Sequence, residues 1–298
     1  MICSLTVKTP SPDCRPLVIA HRGASGLAPE NTLVAFRLAI ALGADGIEMD
    51  VQLSADGHPV LMHDRRVNRT TDGAGLVSRL TLEQLQRLDA GSWFERRLML
   101  RPRVRARLKQ IVADIDHGPS SFVGEPLPEL EEALSLLGPA RLKRIYIELK
   151  VTRANRQALL GSVVSSVRAA RLDHLVTLLS FDHAVVRHAK EIAPDLRTAA
   201  IFPPKWGRLL SIGSIISSAE SNGADEVALP YGLATARTVE ALHKHGFSVS
   251  VWTINRVRFM WRAKAAGADA IMTNYPNRLR QLVDSQVLRY GDAQKDDG

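Results

Sequence analysis

The chain has 298 residues, 45% of them hydrophobic, and carries 39 Lys and Arg against 31 Asp and Glu, a formal net charge of +8. It can therefore bury a substantial core within one large domain, and no second domain is needed. Cys3 and Cys14 are the two cysteines, and their position near the start argues against a disulfide framework or a thiolate metal site.

The first residues carry no signal for targeting. Residues 1–10 lack a basic stretch followed by a long apolar one, and no run in the chain reaches the roughly 18 apolar residues that a membrane span needs. We therefore predict that residues 1–16 form an N-terminal lead-in and that the protein is soluble and cytoplasmic.

The first predicted element is a strand in residues 17–20, a branched apolar run suited to a strand that is buried on both faces. It ends in the polar pair His21 and Arg22, and Gly23 then favours a turn. Polar side chains that could take part in catalysis therefore lie at the end of this strand. A helical pattern follows in residues 30–42.

The next predicted strand, residues 46–53, carries two carboxylates. Glu48 and Asp50 alternate with apolar residues, and a period of two places both on the same side. Carboxylates so close repel each other unless a cation lies between them, and a hard cation such as Mg²⁺ or Ca²⁺ prefers oxygen ligands. The exposed polar face of an ordinary strand would give the same alternation.

A turn signal at residues 54–57 leads into a short strand, residues 58–63, that ends at His63. Histidine is the side chain whose unperturbed pKa best suits proton transfer near neutral pH. A single histidine at a strand end is more often structural. However, His21 and His63 bracket the carboxylate pair, which favours a role in acid/base chemistry.

These motifs together resemble the glycerophosphodiester phosphodiesterase family. The early motifs are His21-Arg22-Gly23, Pro29-Glu30-Asn31-Thr32, Glu48-x-Asp50, His63-Asp64 and Arg69-Thr70-Thr71-x-Gly73. Residues 146–150, 180–182, 251–255 and 271–276 are similar to later strand ends of the family. The resemblance runs from about residue 17 to residue 283, and several motifs in the same order are far more specific than any one.

The resemblance implies a role for nine residues. Those implied for acid/base catalysis are His21 and His63. Those implied as ligands of one divalent cation, Mg²⁺ or Ca²⁺, are Glu48, Asp50 and Glu148. Those implied for substrate binding are Arg22, Lys150, Phe181 and Trp252. Considered alone, a residue such as Trp252 is more often a core aromatic than a ligand contact. Glu148, in contrast, lies in an apolar run where an unpaired carboxylate would be costly to bury.

Strands and helices alternate along the chain. Strand-like runs lie near residues 17–21, 46–53, 144–149, 175–180, 197–202, 225–229, 247–253 and 269–273, and helical patterns include 30–42, 153–170 and 235–245. This alternation predicts an α/β fold, a (β/α)8 TIM barrel over residues 17–284, with its active site at the C-terminal ends of the strands. The polar tail, residues 285–298, is predicted to be disordered.

One stretch departs from the family pattern, an insertion near residues 95–123. Between residues 96 and 109 it has seven basic residues and no acidic one, and without them the net charge would be +1. After Pro102 the apolar residues have helical spacing, which predicts a basic amphipathic helix that could rest on an anionic membrane or attract anionic substrates. The alternative is a solvated insert whose apolar stripe packs on the barrel. Nucleic-acid binding is not expected, because interleaved aromatics are lacking.

The resemblance implies metal-dependent hydrolysis of small glycerophosphodiesters to glycerol 3-phosphate and an alcohol. A lysophospholipase D-like activity, on substrates that keep one acyl chain, is the leading alternative and is favoured if the basic helix binds membranes. A non-catalytic phosphodiester-binding protein is a third hypothesis. Both histidines and all three carboxylates are present, which argues against it.

Overall fold

The computed structural model describes residues 15–100, 102–113, 121–204 and 210–285. The strands are β1 (Leu17–His21), β2 (Gly46–Leu53), β3 (Pro59–Leu61), β4 (Arg144–Leu149), β5 (Val176–Ser180), β6 (Arg197–Ile201), β7 (Glu226–Pro230), β8 (Ser248–Trp252) and β9 (Ala270–Thr273). The helices are α1 (Leu33–Ala41), α2 (Leu82–Gln86), α3 (Ser92–Met99), α4 (Pro102–Ala113), α5 (Leu130–Leu137), α6 (Arg156–Ala170), α7 (His183–Ile192), α8 (Ile212–Ser221), α9 (Ala236–Lys244), α10 (Val257–Ala265) and α11 (Pro276–Asp284).

The strands form one sheet in the order β1-β9-β8-β7-β6-β5-β4-β2-β3, and an additional pairing of β1 with β2 closes it. Strand β3 runs antiparallel to β2 and is the short strand predicted before His63. The other eight strands, with interleaved helices, form a TIM barrel, so the predicted fold class is confirmed. Each of the eight predicted strand runs corresponds to a strand of the structure, and no end differs by more than one residue.

The first helix begins later than its pattern indicated. We predicted a helix in residues 30–42, but α1 begins at Leu33 because the Thr32 side chain accepts a hydrogen bond from the backbone N–H of Ala35 and so caps the helix. Asn31 has a φ of +56°, outside the helical region. Glu30 and Asn31 therefore lie in the loop between β1 and α1, where their side chains can face the strand ends.

The described residues form two compact units. One comprises residues 20–176 and 274–277, and it contains β2, in which every residue is buried, including Glu48, Asp50 and Gln52. The interpretation of β2 as a strand with an exposed polar face is therefore wrong. Beyond β3 this unit has a small apolar cluster, formed by Val60, Met62, Val67, Val77, Leu85 and Leu127.

The other unit comprises, of the described residues, 15–19, 177–204, 210–273 and 278–285. Its core is formed by apolar residues of β7 and β8 and of the helices that pack on them: Val227, Leu229, Val249, Val251, Ile215, Val239 and Met260. Parallel strands covered on both faces become such continuous apolar runs.

The basic insertion is helical where it is described. Helix α3 buries Phe94 and Leu98, and α4 follows from Pro102, as predicted. Leu108 of α4 is buried, while Arg103 and Arg105 are exposed, which agrees with an apolar side packed inward and arginines in water. Most of the lead-in (residues 1–14), residues 101 and 114–120 of the insertion, and tail residues 286–298 lie outside the described residues. Among the described helices, none combines the length and apolarity needed to cross a bilayer.

Candidate active site

The end of β1 brings two predicted site residues to β2. His21 is the last residue of β1, and Arg22 has a φ of +56°. This backbone conformation lets the N–H of Arg22 donate to Glu48 Oε2 at 2.9 Å. Gly23 follows with a φ of +78°, and a Cβ there would meet the backbone of Ala35 at 2.7 Å. The sharp turn after β1 thus requires glycine, and a strained backbone at Arg22 is typical of a functional site.

Three buried carboxylates lie next to one another on β2 and β4. Asp50 pairs with Glu148 in the parallel register of the two strands, and Glu48 precedes Asp50 by two residues on the same side. One carboxylate oxygen from each lies within 4.8 Å of the others. The residues are 1%, 0% and 7% exposed for Glu48, Asp50 and Glu148, respectively. The strand register therefore assembles the acidic set that the sequence predicted.

Burial and mutual repulsion shift the pKa values of these carboxylates strongly. Burial, followed by the charge of Asp50, raises the pKa of Glu148 to about 7 and raises the pKa of Glu48 well above its usual value. Burial alone would also raise the pKa of Asp50, but Arg22 and Lys150 outweigh it and lower that pKa. Asp50 is thus the permanently ionised member, and the two glutamates need a further positive charge to ionise fully.

The set fits a hard divalent cation. Asp50 Oδ1 is buried and accepts no hydrogen bond, although Lys150 Nζ lies 2.9 Å away. Carboxylate oxygens are the donors that Mg²⁺ and Ca²⁺ prefer, and three converging ones are enough to hold either ion with water or substrate completing the shell. Glu48, Asp50 and Glu148 could therefore hold one such cation.

Two cationic side chains adjoin the carboxylates. Arg22 Nε lies 2.9 Å from Asp50 Oδ2, and Lys150 Nζ lies 2.9 Å from Asp50 Oδ1 and 2.5 Å from Glu148 Oε1. Both side chains are largely buried yet retain 16% and 17% exposure. They are thus placed beside the acidic set with access to an incoming anion.

The two histidines have related but unequal surroundings. His21 Nδ1 lies 2.8 Å from Asn274 Oδ1, and His63 Nδ1 lies 2.6 Å from the carboxylate of Asp64. Burial, and then Arg22, lowers the pKa of His21 to about 3, while burial also lowers the pKa of His63. In both rings a side-chain oxygen lies within hydrogen-bond distance of Nδ1, and the Nε2 of His21 lies 3.9 Å from Glu48 Oε2.

Several residues that orient this site were assigned no role from the sequence. Asn31 Nδ2 donates to Asp50 Oδ2 at 2.9 Å, and its Oδ1 accepts from the Asp50 N–H at 3.2 Å. Gln52 Nε2 donates to the backbone oxygens of Met62 and Asp64, at 2.8 and 2.7 Å. Asn31 thus holds a carboxylate, and Gln52 holds the backbone on both sides of His63.

Glu30, Asp64 and Arg69 are also missed residues of this kind, and they form ion pairs beside the site. The signal that could have found them is their position in the motifs that carry the family resemblance: Asp64 follows His63, while Glu30 and Arg69 lie in the motifs at residues 29–32 and 69–73. Contacts between loops distant in sequence decide which of them face the site, and spacing along the chain does not contain that information.

Phe181 and Trp252, predicted to shape the substrate pocket, both belong to the other compact unit. Their rings pack edge to face with centroids 5.6 Å apart, and Trp252 Nε1 donates to the Ala228 backbone oxygen at 3.2 Å. Phe181 is 44% exposed. The pair is a preformed aromatic surface, and its role in substrate binding stays a prediction.

Comparison with known proteins places this geometry in one family. The model of the glycerophosphoryl diester phosphodiesterase family matches residues 21–278. The glycerophosphodiester phosphodiesterase of Caldanaerobacter subterraneus is 34% identical over 271 residues, 90% of this chain and 98% of that protein. One from Bacillus subtilis is 30% identical over 281 residues, 91% of this chain and 87% of that protein.

Solved structures agree with the sequence comparisons. The structure of an Oleispira antarctica phosphodiesterase in complex with the product sn-glycerol-3-phosphate has a TM-score of 0.74 at 27% identity, and the match covers 91% of this chain and 97% of that one. The family match spans most of the chain and includes all nine predicted site residues. The chain belongs to the glycerophosphoryl diester phosphodiesterase family of hydrolases.

Proposed function

We propose that this protein hydrolyses glycerophosphodiesters to glycerol 3-phosphate and an alcohol, with one divalent cation held by Glu48, Asp50 and Glu148. The observation that carries the proposal is the set of three buried carboxylates with oxygens within 4.8 Å of one another, beside two histidines and two cationic side chains. The substrate class follows from the family and from the glycerol phosphate product bound to the Oleispira relative.

In this mechanism the phosphate group of the substrate lies beside Asp50, where Arg22 and Lys150 contact its oxygens. A bound divalent cation would neutralise charge on those oxygens and orient the nucleophile. Arg22 suits this role because its planar guanidinium can offer two parallel N–H donors to a phosphate. Phe181 and Trp252 would contact the alcohol portion of the substrate.

The different surroundings of the two histidines favour one of them as the general base and the other as the general acid. A carboxylate that accepts from Nδ1 stabilises the imidazolium formed when Nε2 takes a proton, as in the Ser-His-Asp arrangement. His63 has such a partner in Asp64, while His21 has the neutral amide of Asn274. We therefore assign proton removal to His63 and protonation of the leaving alkoxide to His21. This role requires the pKa of His21, lowered to about 3 by burial and then by Arg22, to rise when the anionic substrate lies beside Arg22.

The nucleophile in this proposal is the glycerol hydroxyl next to the phosphoester. Its oxygen bonds to phosphorus while His63 accepts its proton, the bond from phosphorus to the alcohol oxygen breaks, and His21 protonates that oxygen. Water then opens the resulting cyclic glycerophosphate. An intramolecular attack of this kind can lower a barrier substantially because no entropy is lost in bringing the reactants together.

A second candidate is a lysophospholipase D-like activity on substrates that keep one acyl chain. It is favoured by one observation: Met99 and Leu100, at the end of α3, are 62% and 84% exposed, and exposed arginines lie on α3 and α4. Exposed apolar side chains among basic ones suit contact with an anionic membrane, from which such substrates would come.

Turnover of glycerophosphocholine, with and without a chelator, tests the proposed function. We expect glycerol 3-phosphate and choline as products, loss of turnover in chelator, and recovery on addition of Mg²⁺ or Ca²⁺. A transient cyclic glycerophosphate and slow cleavage of diesters that lack the neighbouring hydroxyl are expected as well. Faster turnover of lysophosphatidylcholine in vesicles than of glycerophosphocholine would favour the second candidate, and full activity in excess chelator would contradict the metal-dependent mechanism.

A further inference from the structure

A chain of ion pairs links the two ends of the candidate active site. Arg69 lies between Glu30 and Asp64 and contacts both carboxylates with two nitrogens each. Its Nη1 and Nη2 donate to Glu30 Oε2 and Oε1 at 2.9 and 2.8 Å. Its Nε and Nη2 donate to Asp64 Oδ2 and Oδ1 at 2.6 and 3.2 Å.

Each of these carboxylates holds a residue of the proposed mechanism. Glu30 Oε1 also accepts from Arg22 Nη1 at 2.8 Å, and Asp64 Oδ1 lies 2.6 Å from His63 Nδ1. The order is therefore Arg22, Glu30, Arg69, Asp64, His63. Arg69 is the central member, and its side-chain hydrogen bonds go to Glu30 and Asp64, neither of which belongs to the metal-ligand set.

We propose that Arg69 is a positioning residue that couples the phosphate-binding Arg22 to the acid/base His63 through Glu30 and Asp64. The inference rests on the proposed function for the roles of Arg22 and His63. It adds a residue that the mechanism above does not use.

The contacts differ from those of an ordinary surface ion pair. Exposed ion pairs contribute little to the stability of the fold, because solvent screens their charges and two flexible side chains must be ordered to form each pair. Here the Glu30 and Arg22 side chains are 13% and 16% exposed and those of Asp64 and Arg69 31% and 44% exposed, so the network is partly buried, and Arg69 makes two bidentate contacts. The hydrogen bond from Arg69 is the main reason that the pKa of Asp64 is lowered to about 2, which keeps Asp64 ionised beside His63.

The backbone that carries Arg69 is itself fixed. Arg69 ends a short 3-10 turn, Val67–Arg69, in which Val67 is fully buried in the apolar cluster beyond β3. Thr71 follows, and its Oγ1 donates to the Val67 backbone oxygen at 2.9 Å. A guanidinium projecting from an anchored turn is preorganised, and lysine cannot reproduce its fork between two carboxylates.

The test compares Arg69→Gln, Arg69→Lys and Glu30→Gln, alone and in the double variant Glu30→Gln/Arg69→Gln, with saturating Mg²⁺ or Ca²⁺. Arg87→Gln is the matched control, because Arg87 also pairs with a carboxylate, Glu83, but both side chains are more than 70% exposed. Three quantities are measured: kcat and KM for glycerophosphocholine, the Kd for sn-glycerol 3-phosphate by calorimetry, and the ¹⁵N shifts of the His63 ring.

For Arg69→Gln we expect kcat to fall about 10- to 100-fold, as is typical when a group that orients a functional residue is lost. The Kd for glycerol 3-phosphate should rise several-fold because Arg22 loses its support, and the His63 ring should lose its preference for a proton on Nδ1. Arg69→Lys should recover only part of kcat. The double variant should lose no more than the worse single variant, since all three break one network. Arg87→Gln should match the wild type.

Wild-type values of kcat, Kd and ring shifts in Arg69→Gln would overturn the proposal, and so would losses that multiply in the double variant. If Arg69→Gln does not fold, Glu30→Gln and Arg69→Lys give the same comparison. A wild-type protein without turnover would contradict the proposed function instead, and the His63 ring shifts would still decide whether Arg69 positions that ring.

Discussion

Two regions of the unit formed by residues 20–176 contain arginines with opposite surroundings. Arg22 and Arg69 alternate with carboxylates in the active-site region, and each contacts two of them. On α3 and α4, Arg96, Arg97, Arg103 and Arg105 are exposed, in a stretch from residue 96 to residue 113 that contains no Asp or Glu. The first region is close to neutral, and the second is strongly positive.

The paired arginines of the active-site region and the exposed arginines of α3 and α4 can have different effects. A buried charge with partners fixes geometry, and removing one member leaves the others uncompensated in a medium of low polarity. An exposed charge without partners acts at a distance, and salt screens it within about 10 Å at 0.1 M. Substitutions in the first region should therefore change chemistry, while those in the second should change only association with anionic surfaces.

The largest effect is expected at the metal-ligand set. Glu48→Gln, Asp50→Asn and Glu148→Gln should each lower kcat for glycerophosphocholine by about 10³-fold or more, because each removes an anionic ligand of the cation that stabilises the transition state. Steady-state kinetics at several metal concentrations measure this. Glu226→Gln is the control, since Glu226 is another buried strand carboxylate, only 3% exposed, in the other unit. Near wild-type kcat in any of the three ligand variants would remove that residue from the set.

The second-largest loss of activity is expected when either histidine is replaced. His21→Ala and His63→Ala should each lower kcat by about 10²- to 10⁴-fold while the protein stays folded, the range typical of a positioned acid or base. His58→Ala is a matched control, because His58 also pairs with a carboxylate, Glu129 at 2.7 Å, but is half exposed.

A substrate with a good leaving group sharpens this prediction. With a p-nitrophenyl ester of glycerol phosphate the leaving group needs no proton, so His21→Ala should lose much less activity than His63→Ala. Equal losses on both kinds of substrate would contradict the assignment of His21 as the acid.

The sequence predicted the parts of this site that follow from strand periodicity. Glu48 and Asp50 lie on one side of β2 because residues two apart in a strand do so. Glu148 was implied by the family resemblance, and the parallel register of β2 and β4 places it opposite Asp50. The predicted helices were wrong at residues 30 and 31, and also at residues 153–155, which precede the start of α6 at Arg156. A cap at Thr32 and a φ of +56° at Asn31 keep residues 30 and 31 outside α1.

The network around Arg69 could not be predicted from the sequence, because its contacts join residues that are far apart along the chain. Arg69 is 39 residues from Glu30, and their contact depends on how two loops pack. Local propensity contains no such information, and only the motifs indicated that these loops matter. In contrast, the charge excess of the insertion and the helix after Pro102 were both visible in the sequence, because they depend on composition and local spacing.

A smaller effect should appear in the pH dependence of metal binding. The pKa of Glu148 is raised to about 7, so below pH 7 the metal-free protein holds a proton that the cation must displace. Affinity should therefore weaken as the pH falls from 8 to 6, by up to about tenfold per unit for one displaced proton. Calorimetry in buffers of different ionisation enthalpy measures both Kd and proton release. Glu148→Gln should bind more weakly but with a shallower slope, whereas a wild-type Kd that is constant over this range would contradict the prediction.

The smallest effect on chemistry is expected in the basic region. Replacing Arg96, Arg97, Arg103 and Arg105 by alanine should leave kcat for glycerophosphocholine within about a factor of ten, because none of these side chains belongs to the proposed acid, base or ligand set. Co-sedimentation with vesicles rich in phosphatidylserine should fall sharply, since each basic residue near such a surface contributes about 1 kcal/mol. Wild-type binding should weaken as salt rises, and replacing Met99 and Leu100 by serine should weaken it at every salt concentration. Negligible sedimentation of the wild type would leave α4 as a solvated insertion with its apolar side packed inward, and a folded four-alanine variant without turnover would show that the two regions are not independent.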